Sequence, residues 1–248
     1  MKKLILFASA LCMSVCAMAQ SEFYVYKKDG SSVQFTIADV DSISFTAPAT
    51  GTGTANGHEW VDLGLPSGTK WATCNVGATK PEEYGNYYAW GETETKTTYN
   101  WSTYKWCNGS AETQTKYCTN SDYGTVDNKT VLDLEDDAAR ANWGGAWRMP
   151  TDAEWTELRE NCTWTWTTKN GVNGYEVKSE ANGNSIFLPA AGYRGYDDLG
   201  SAGSLGVYWS SSLSTDYPYY AWDVYFYSGS VSRSGSDRYC GRSVRPVL

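Results

Sequence analysis

The sequence predicts an α+β fold, in which small antiparallel sheets carry two helices and a short β-hairpin module precedes the main domain. Three observations lead there. The chain holds 12 Trp, 19 Tyr and 24 Gly with few long aliphatic runs, the composition of a loop-rich, β-dominated chain packed by aromatic rings. Short segments alternate in polarity, as in residues 221–227, where Trp222, Val224 and Phe226 share one face and Asp223, Tyr225 and Tyr227 the other. Two segments, and only two, carry helix signals.

Taken in order, the chain opens on an export signal over residues 1–19. Lys2 and Lys3 form a basic start, Leu4 to Val15 an apolar stretch, and Ala17-Met18-Ala19 a small-x-small cleavage pattern that leaves Gln20 first. The stretch is too short to span a bilayer. Lipidation at Cys12 or Cys16 fits less well, because Leu11 and Val15 stand where a small residue is expected. Residues 20–46 read as a small β module: a strand at Phe23–Tyr26, a two-residue turn at Asp29-Gly30, a return strand through Val33, Phe35 and Ile37, and a short strand at Ile43–Phe45. Residues 47–57, rich in Thr, Gly and Ala, read as a linker.

Residues 58–248 read as one domain. Strands are expected at Trp60–Leu63 and Trp71–Val76, with a turn at Leu65–Gly68, and residues 84–125 show no periodicity and read as a long loop region. The first helix is expected over 133–142, with an acidic start that suits the helix dipole and Gly144-Gly145 as its stop. The second begins with a capping box, Thr151 and Glu154, followed by Trp155, Leu158 and Cys162 on one face. Beyond residue 163 the chain reads as β again, with strands at Ile186–Pro189, Tyr208–Ser211 and 221–227 and a closing strand at Gly241–Val247.

Charge and cysteine content narrow the function classes. The net charge is −8, and loss of the two signal lysines takes it to −10. Nucleic acid and anionic membrane surfaces, which need a cationic face, are poor partners for such a chain. No segment after the signal is apolar enough to cross a membrane. Five of the seven cysteines lie beyond the signal, at Cys74, Cys107, Cys118, Cys162 and Cys240, with no CxxC pair and a single histidine, His58. A Cys/His zinc site is therefore not expected. No Asp-x-Asp-x-Asp loop supports calcium, for which Asp197, Asp198 and Asp216 are the available ligands and the alternative is polar loop residues, and no other cofactor is expected.

A series of motifs occurs in order: Gly64-Leu65-Pro66-Ser67-Gly68-Thr69-Lys70-Trp71-Ala72, Asn75-Val76-Gly77-Ala78, Tyr88-Ala89-Trp90-Gly91-Glu92, Trp143-Gly144-Gly145-Ala146-Trp147-Arg148-Met149-Pro150-Thr151, Phe187-Leu188-Pro189-Ala190-Ala191-Gly192, Tyr208-Trp209-Ser210-Ser211 and Ser243-Val244-Arg245-Pro246-Val247. Together they resemble the Fibrobacter succinogenes major paralogous domain, common in exported Bacteroidetes proteins, over nearly all of residues 58–248. The N-terminal unit resembles the short leader module of Bacteroides surface proteins. More distantly, Arg148-Met149-Pro150-Thr151-Asp152-Ala153-Glu154-Trp155 is similar to a helix start in the formylglycine-generating enzyme family. That resemblance implies a C-type-lectin-like architecture, with a small sheet joining the termini and a long loop region presenting the ligand surface. It also places the strand of Cys74 near the helix of Cys162, so these two are disulfide candidates, with two buried thiols as the alternative. Fold resemblance does not transfer activity. The oxidase chemistry needs a cysteine pair late in the domain, where only Cys240 stands.

No catalytic residues are assigned. His58 lies at the linker's edge without a neighbouring motif, and the adjacent carboxylates Glu82/Glu83 and Asp136/Asp137 point in different directions if helical. The main functional signal is the C-terminal stretch 189–248, rich in Tyr, Ser and Gly. Tyr offers a rigid, amphipathic contact at low entropic cost while Ser, Gly and Asp adapt around it, as in antibody paratopes. The expected ligand-binding residues are Tyr196, Asp197, Asp198, Asp216, Tyr217, Tyr219, Tyr220, Tyr227, Arg238 and Tyr239. The expected function is non-enzymatic binding of a glycan or protein ligand by a secreted, periplasmic or cell-surface protein. A structural or assembly role in a surface complex is the alternative, and a degenerate formylglycine-generating-enzyme-like domain a further one.

Overall fold

A computed structural model gives the structure of the protein and describes residues 22–27, 30–39 and 51–248. The export signal, Asp29 and the strand expected at Ile43–Phe45 lie outside the described residues. The chain divides into two units, one ending at Ala47 and one beginning at Pro48.

The first unit contains an antiparallel pair, β1 (Glu22–Tyr26) and β2 (Ser32–Thr36), with Val25 opposite Val33. The connection is longer than the expected two-residue turn. Pairing stops at Tyr26 and Ser32, and Lys27 N–H donates to the Ser31 carbonyl at 2.7 Å. Gly30 takes the positive φ of +85° that a residue with a Cβ would resist. Ile37 leaves the strand for a 3-10 turn, Ile37–Asp39.

The second unit is built from β-hairpins. Strands β3 (Thr52–Ala55), β4 (His58–Asp62) and β5 (Lys70–Ala72) form one antiparallel sheet. Residues 52–55, expected within a linker, are thus a strand, because Gly53 lets the Trp60 indole lie against the backbone where any Cβ would collide at 2.3 Å. Strands β6 (Cys162–Lys169), β7 (Val172–Ser179) and β8 (Ser185–Pro189) form a second sheet. A short hairpin pairs β9 (Tyr193–Gly195) with β10 (Asp198–Gly200), and β11 (Gly206–Leu213), β12 (Tyr220–Tyr227) and β13 (Ser230–Asp237) make the third sheet.

The helices are short. Helix α1 (Ala138–Trp143) starts five residues later than expected, because the Asp137 carboxylate caps it by accepting from Arg140 N–H at 3.0 Å, leaving Leu134–Asp136 as a 3-10 turn. Gly144, at φ +66°, ends it as expected. Helix α2 (Asp152–Glu160) has the expected box: Thr151 Oγ1 accepts from Glu154 N–H at 3.2 Å, and Glu154 Oε2 accepts from Thr151 N–H at 2.7 Å. Cys162 no longer belongs to this helix and begins β6 instead.

The α+β, C-type-lectin-like assignment is therefore corrected: the described residues are mostly β, in small antiparallel sheets, with two short α-helices among them. The helices have six and nine residues, too few to build the layer an α+β fold needs against a sheet. The Thr- and aromatic-rich stretch that follows the second helix pairs with its sequence neighbour instead, β6 with β7. Nor is the C-terminal segment a regular strand. It runs extended and makes isolated bridges from Gly241 to Arg194, Arg242 to Tyr88, Ser243 to Tyr208, and Val247 to both Trp71 and Arg148.

Aromatic rings fill the core. One cluster packs Trp71, Trp155, Tyr208 and Phe226 around Leu158, Val177 and Leu188, and a second packs Trp90, Tyr117, Trp147 and Trp209 around Met149 and Val244. A third, of Tyr87, Tyr99 and Tyr104, underlies the long loop region. Polar ring atoms inside these clusters are mostly satisfied, as burial requires; Trp90 Nε1 donates to the Ser210 carbonyl at 2.8 Å and Trp209 Nε1 to that of Tyr88 at 2.9 Å.

Candidate functional site

Two loops of the second unit carry most of the expected ligand-binding residues. The β11–β12 connection presents Asp216 and Tyr217, both exposed, and Tyr219 and Tyr220, both half-buried. Their rings form one cluster, with Tyr219 4.4 Å from Tyr220 and 5.9 Å from Tyr217 between centroids. Tyr123, from the loop region 84–125, joins it at 5.1 Å from Tyr219. Burial and the neighbouring phenols raise the Tyr219 pKa. The Tyr219 hydroxyl therefore stays neutral and can both donate and accept.

The β9–β10 hairpin carries the second group. Tyr196 stands at its tip, 65% exposed and at φ +53°. That conformation is rare for a residue with a Cβ. It is held by two exchanged backbone bonds with Tyr99, both at 2.8 Å. Asp197 accepts from Thr98 Oγ1 at 2.5 Å, and Asp198 is exposed at the start of β10. Tyr239 packs edge-on against Trp101 at 4.9 Å and lies 6.5 Å from Tyr196. Beside this group a groove of about 450 Å³ is lined by Tyr87, Lys96, Tyr99, Arg194 and Asp197.

The turn after β13 ties the two groups together. Asp237 pairs with Tyr220, and Gly241 bridges to Arg194. Four residues span at most about 14 Å, so the backbones behind the two aromatic groups are close neighbours.

Two expected ligand residues fall elsewhere. Arg238 is 0% exposed and is a positioning residue rather than a ligand contact. Its Nε donates to Tyr104 Oη, Nη1 to the carbonyls of Tyr117 and Pro218, and Nη2 to that of Lys116, all within 2.8–3.0 Å. It thereby fastens the tyrosine loop to the loop region. Tyr227 ends the same strand that Tyr220 begins, roughly 23 Å away at 3.3 Å per residue. It is 47% exposed but belongs to neither group. Sequence reasoning missed Tyr123 and Trp101; the aromatic density of residues 84–125 was the available signal.

Other candidate residues are occupied structurally. His58 lies in β4 and not in an exposed loop; its ring stacks on Trp143 at 3.8 Å and 3°, and burial lowers its pKa. Asp136 accepts from Tyr117 Oη at 2.7 Å and Lys116 Nζ at 2.6 Å, while Asp137 accepts from Met149 N–H at 2.7 Å besides capping α1. Asp133, Glu135 and Asp136 converge as metal ligands would, yet the Lys116 ammonium lies within 2.6–3.4 Å of all three and already supplies the positive charge.

Cys74 and Cys162, the disulfide candidates, are both free thiols, as are the other three described cysteines. Cys162 packs into the first core cluster at the head of β6, where burial pushes its thiol up to about 11. Cys74 lies beside Thr73, whose hydroxyl is 3.5 Å from its sulfur.

Among the described residues no helix is long and apolar enough to cross a membrane. Comparison with curated proteins found no match, and comparison with solved structures found none. Residues 163–247, about a third of the chain, match a family described as a domain of unknown function (DUF8237), a stretch that runs from β6 to the C-terminal segment and contains both loops.

Proposed function

We propose that the chain is an exported, non-enzymatic binding protein whose ligand, a glycan or a protein, docks on the face formed by Tyr123, Tyr217, Tyr219 and Tyr220 together with Tyr196, Asp197 and Tyr239. The carrying observation is that clustered, partly exposed tyrosine rings sit on loops whose backbones are fastened by a buried arginine and by reciprocal hydrogen bonds. A contact surface fixed before binding loses little entropy when the ligand arrives, and Tyr is among the residues that dominate binding hot spots. The motifs resembling the Fibrobacter succinogenes major paralogous domain support an exported setting, as does the N-terminal signal pattern.

Glycan and protein arrays probed with the purified protein test this reading. Tyr217→Ala combined with Tyr219→Ala should weaken the strongest array interaction at least tenfold while leaving the unfolding midpoint nearly unchanged. Unaltered binding by a folded double variant would remove the face from consideration. Export has its own test: N-terminal sequencing of the protein recovered outside the cytoplasm should begin at Gln20, and retention of Met1 would contradict it.

A further inference from the structure

The outer face of the third sheet holds a charged pair that the tyrosine face does not use. Alternation along β12 sets Asp223 on the face opposite Trp222, Val224 and Phe226, and there Asp223 is 1% exposed. Ser234 is its cross-strand partner on β13, and Ser232 and Ser236 face the same way opposite Tyr225 and Ala221. Arg242 comes over this face from the C-terminal segment. Its guanidinium lies 4.8 Å from the Tyr193 ring, and its Nη2 donates to Ser236 Oγ at 3.1 Å. Asp223, Ser234, Ser236 and Arg242 line a pocket of about 150 Å³ with Tyr193 and Tyr225 as walls.

The pair is incomplete in a telling way. Arg242 Nε and Asp223 Oδ2 are 3.9 Å apart, too far for a hydrogen bond. Both Asp223 oxygens, Arg242 Nε and Ser243 Oγ are buried without a hydrogen-bond partner. Buried polar groups are ordinarily satisfied, and leaving them bare is costly. A site that keeps two acceptors and a donor free in a pocket walled by tyrosine rings has the equipment to take up a ligand that supplies the missing bonds.

From this geometry we infer that the Asp223–Arg242 pocket is a binding site for one neutral polyhydroxylated ring, a single sugar residue in chemical class. Adjacent hydroxyls donate to the carboxylate and accept from Arg242 Nε, the serines complete the set, and the ring face rests on Tyr225. The charges select against ions. A cationic amine gains Asp223 but meets Arg242, and an anion meets the reverse. The volume suits one ring and not a chain. This site is separate from the tyrosine face and stands whether or not that face binds anything.

The test uses the purified protein, ¹⁵N-labelled, titrated with methyl glycosides of glucose, mannose, galactose and fucose, and in parallel with methylammonium and acetate. At least one glycoside should bind at millimolar concentration or below and move the Arg242 Nε–H resonance, with neither ion doing so. Asp223→Asn should weaken that binding tenfold or more, and Tyr217→Ala should leave it unchanged. Ser234→Ile, which fills the pocket without touching either charge, should abolish it, and it decides the matter if Asp223→Asn does not fold. The proposal is overturned if no glycoside moves the Arg242 resonance, if an ion moves it instead, or if binding survives in folded Ser234→Ile.

Discussion

Asp223 shows what a single buried charge costs and why its environment matters. Burial pushes its carboxyl up to about 6, against the opposing pull of Arg242 and then Ser236. Cys240 and the phenols of Tyr193 and Tyr225 are the other titratable groups on this face. A raised carboxyl holds its proton in the folded state after the unfolded chain has released it. The term is absent below about pH 4 and becomes fully destabilising above about pH 6, on the order of 3 kcal/mol. A carboxyl-resolved NMR titration should find the Asp223 midpoint near 6, and a midpoint in the ordinary carboxylate range would show that Arg242 offsets the cost of burial in full. Arg238 is the opposite case, a charge whose every nitrogen is satisfied by neutral oxygens. Arg238→Met should lower the unfolding free energy in urea by about 3–5 kcal/mol, since it strands buried carbonyls. Arg238→Lys should recover little, because an ammonium cannot reproduce the planar fork; full recovery would contradict the clamp. Nothing in the local pattern around Arg238 distinguishes it from a surface ligand residue. An arginine between an acidic residue and a tyrosine in a Ser/Gly-rich turn reads as exposed, and the approach of Trp90, Tyr104, Lys116 and Tyr117 from far along the chain buries it.

Among elements, the helix start with a specific local signal was legible, while the short hairpin strands Thr52–Ala55, Tyr193–Gly195 and Asp198–Gly200 were not. The capping box of α2 was readable because Thr151 and Glu154 satisfy each other within one turn. The tertiary use of the same carboxylate was not: Glu154 also takes both Arg148 Nη atoms, at 2.5 and 2.7 Å, and the Thr69 hydroxyl at 3.0 Å. Burial alone would raise its pKa, but Arg148 and the Thr151 amide outweigh that and hold it down to about 2. A depressed carboxylate stabilises above its unfolded pKa of about 4.5, and the contribution is lost as pH falls toward 2. Glu154→Gln should therefore cost about 1–2 kcal/mol at pH 7, after solvent screening of a partly exposed pair, and much less at pH 2.5. An equal cost at both values in chemical denaturation would place the loss in packing instead. The tyrosine loops were legible in the same limited way. Tyr217, Tyr219 and Tyr220 show no alternation and so cannot all be buried by one strand, but their partner Tyr123 arrives from almost a hundred residues earlier.

For the whole molecule, the residues that carried the family resemblance turn out to be framework. Trp90, Trp147, Trp209 and Arg245 come from four separate motifs, and each is 0% exposed. The motifs thus made the existence of one large unit readable while saying little about its ligand, and they led to the wrong fold class because framework positions do not specify how many residues fold as helix. The last six residues show how the framework closes. Leu248 exchanges both backbone hydrogen bonds with Lys70, Val247 exchanges both with Arg148, and Pro246 accepts from Ala72 N–H. The C-terminal segment is therefore the middle member between β5 and the lead-in to α2. Arg245 adds bonds to Asn75, Ala72, Thr73 and Phe187, all at 2.9–3.0 Å, joining residues near the start of the unit to β8. Long-range closure of this kind forms only after most of the chain is in place, since the loop it closes must be ordered first. A chain ending at Arg242 should consequently lack the native near-ultraviolet circular dichroism of its packed tryptophans and elute as an expanded species. It removes the backbone hydrogen bonds of residues 243–248 with Lys70, Ala72, Val76, Arg148, Val207 and Trp209, and the fully buried Val244, Arg245 and Val247, at once. A truncated chain with native near-ultraviolet signal and unchanged elution would mean that the hairpin sheets hold the two larger aromatic clusters together without it.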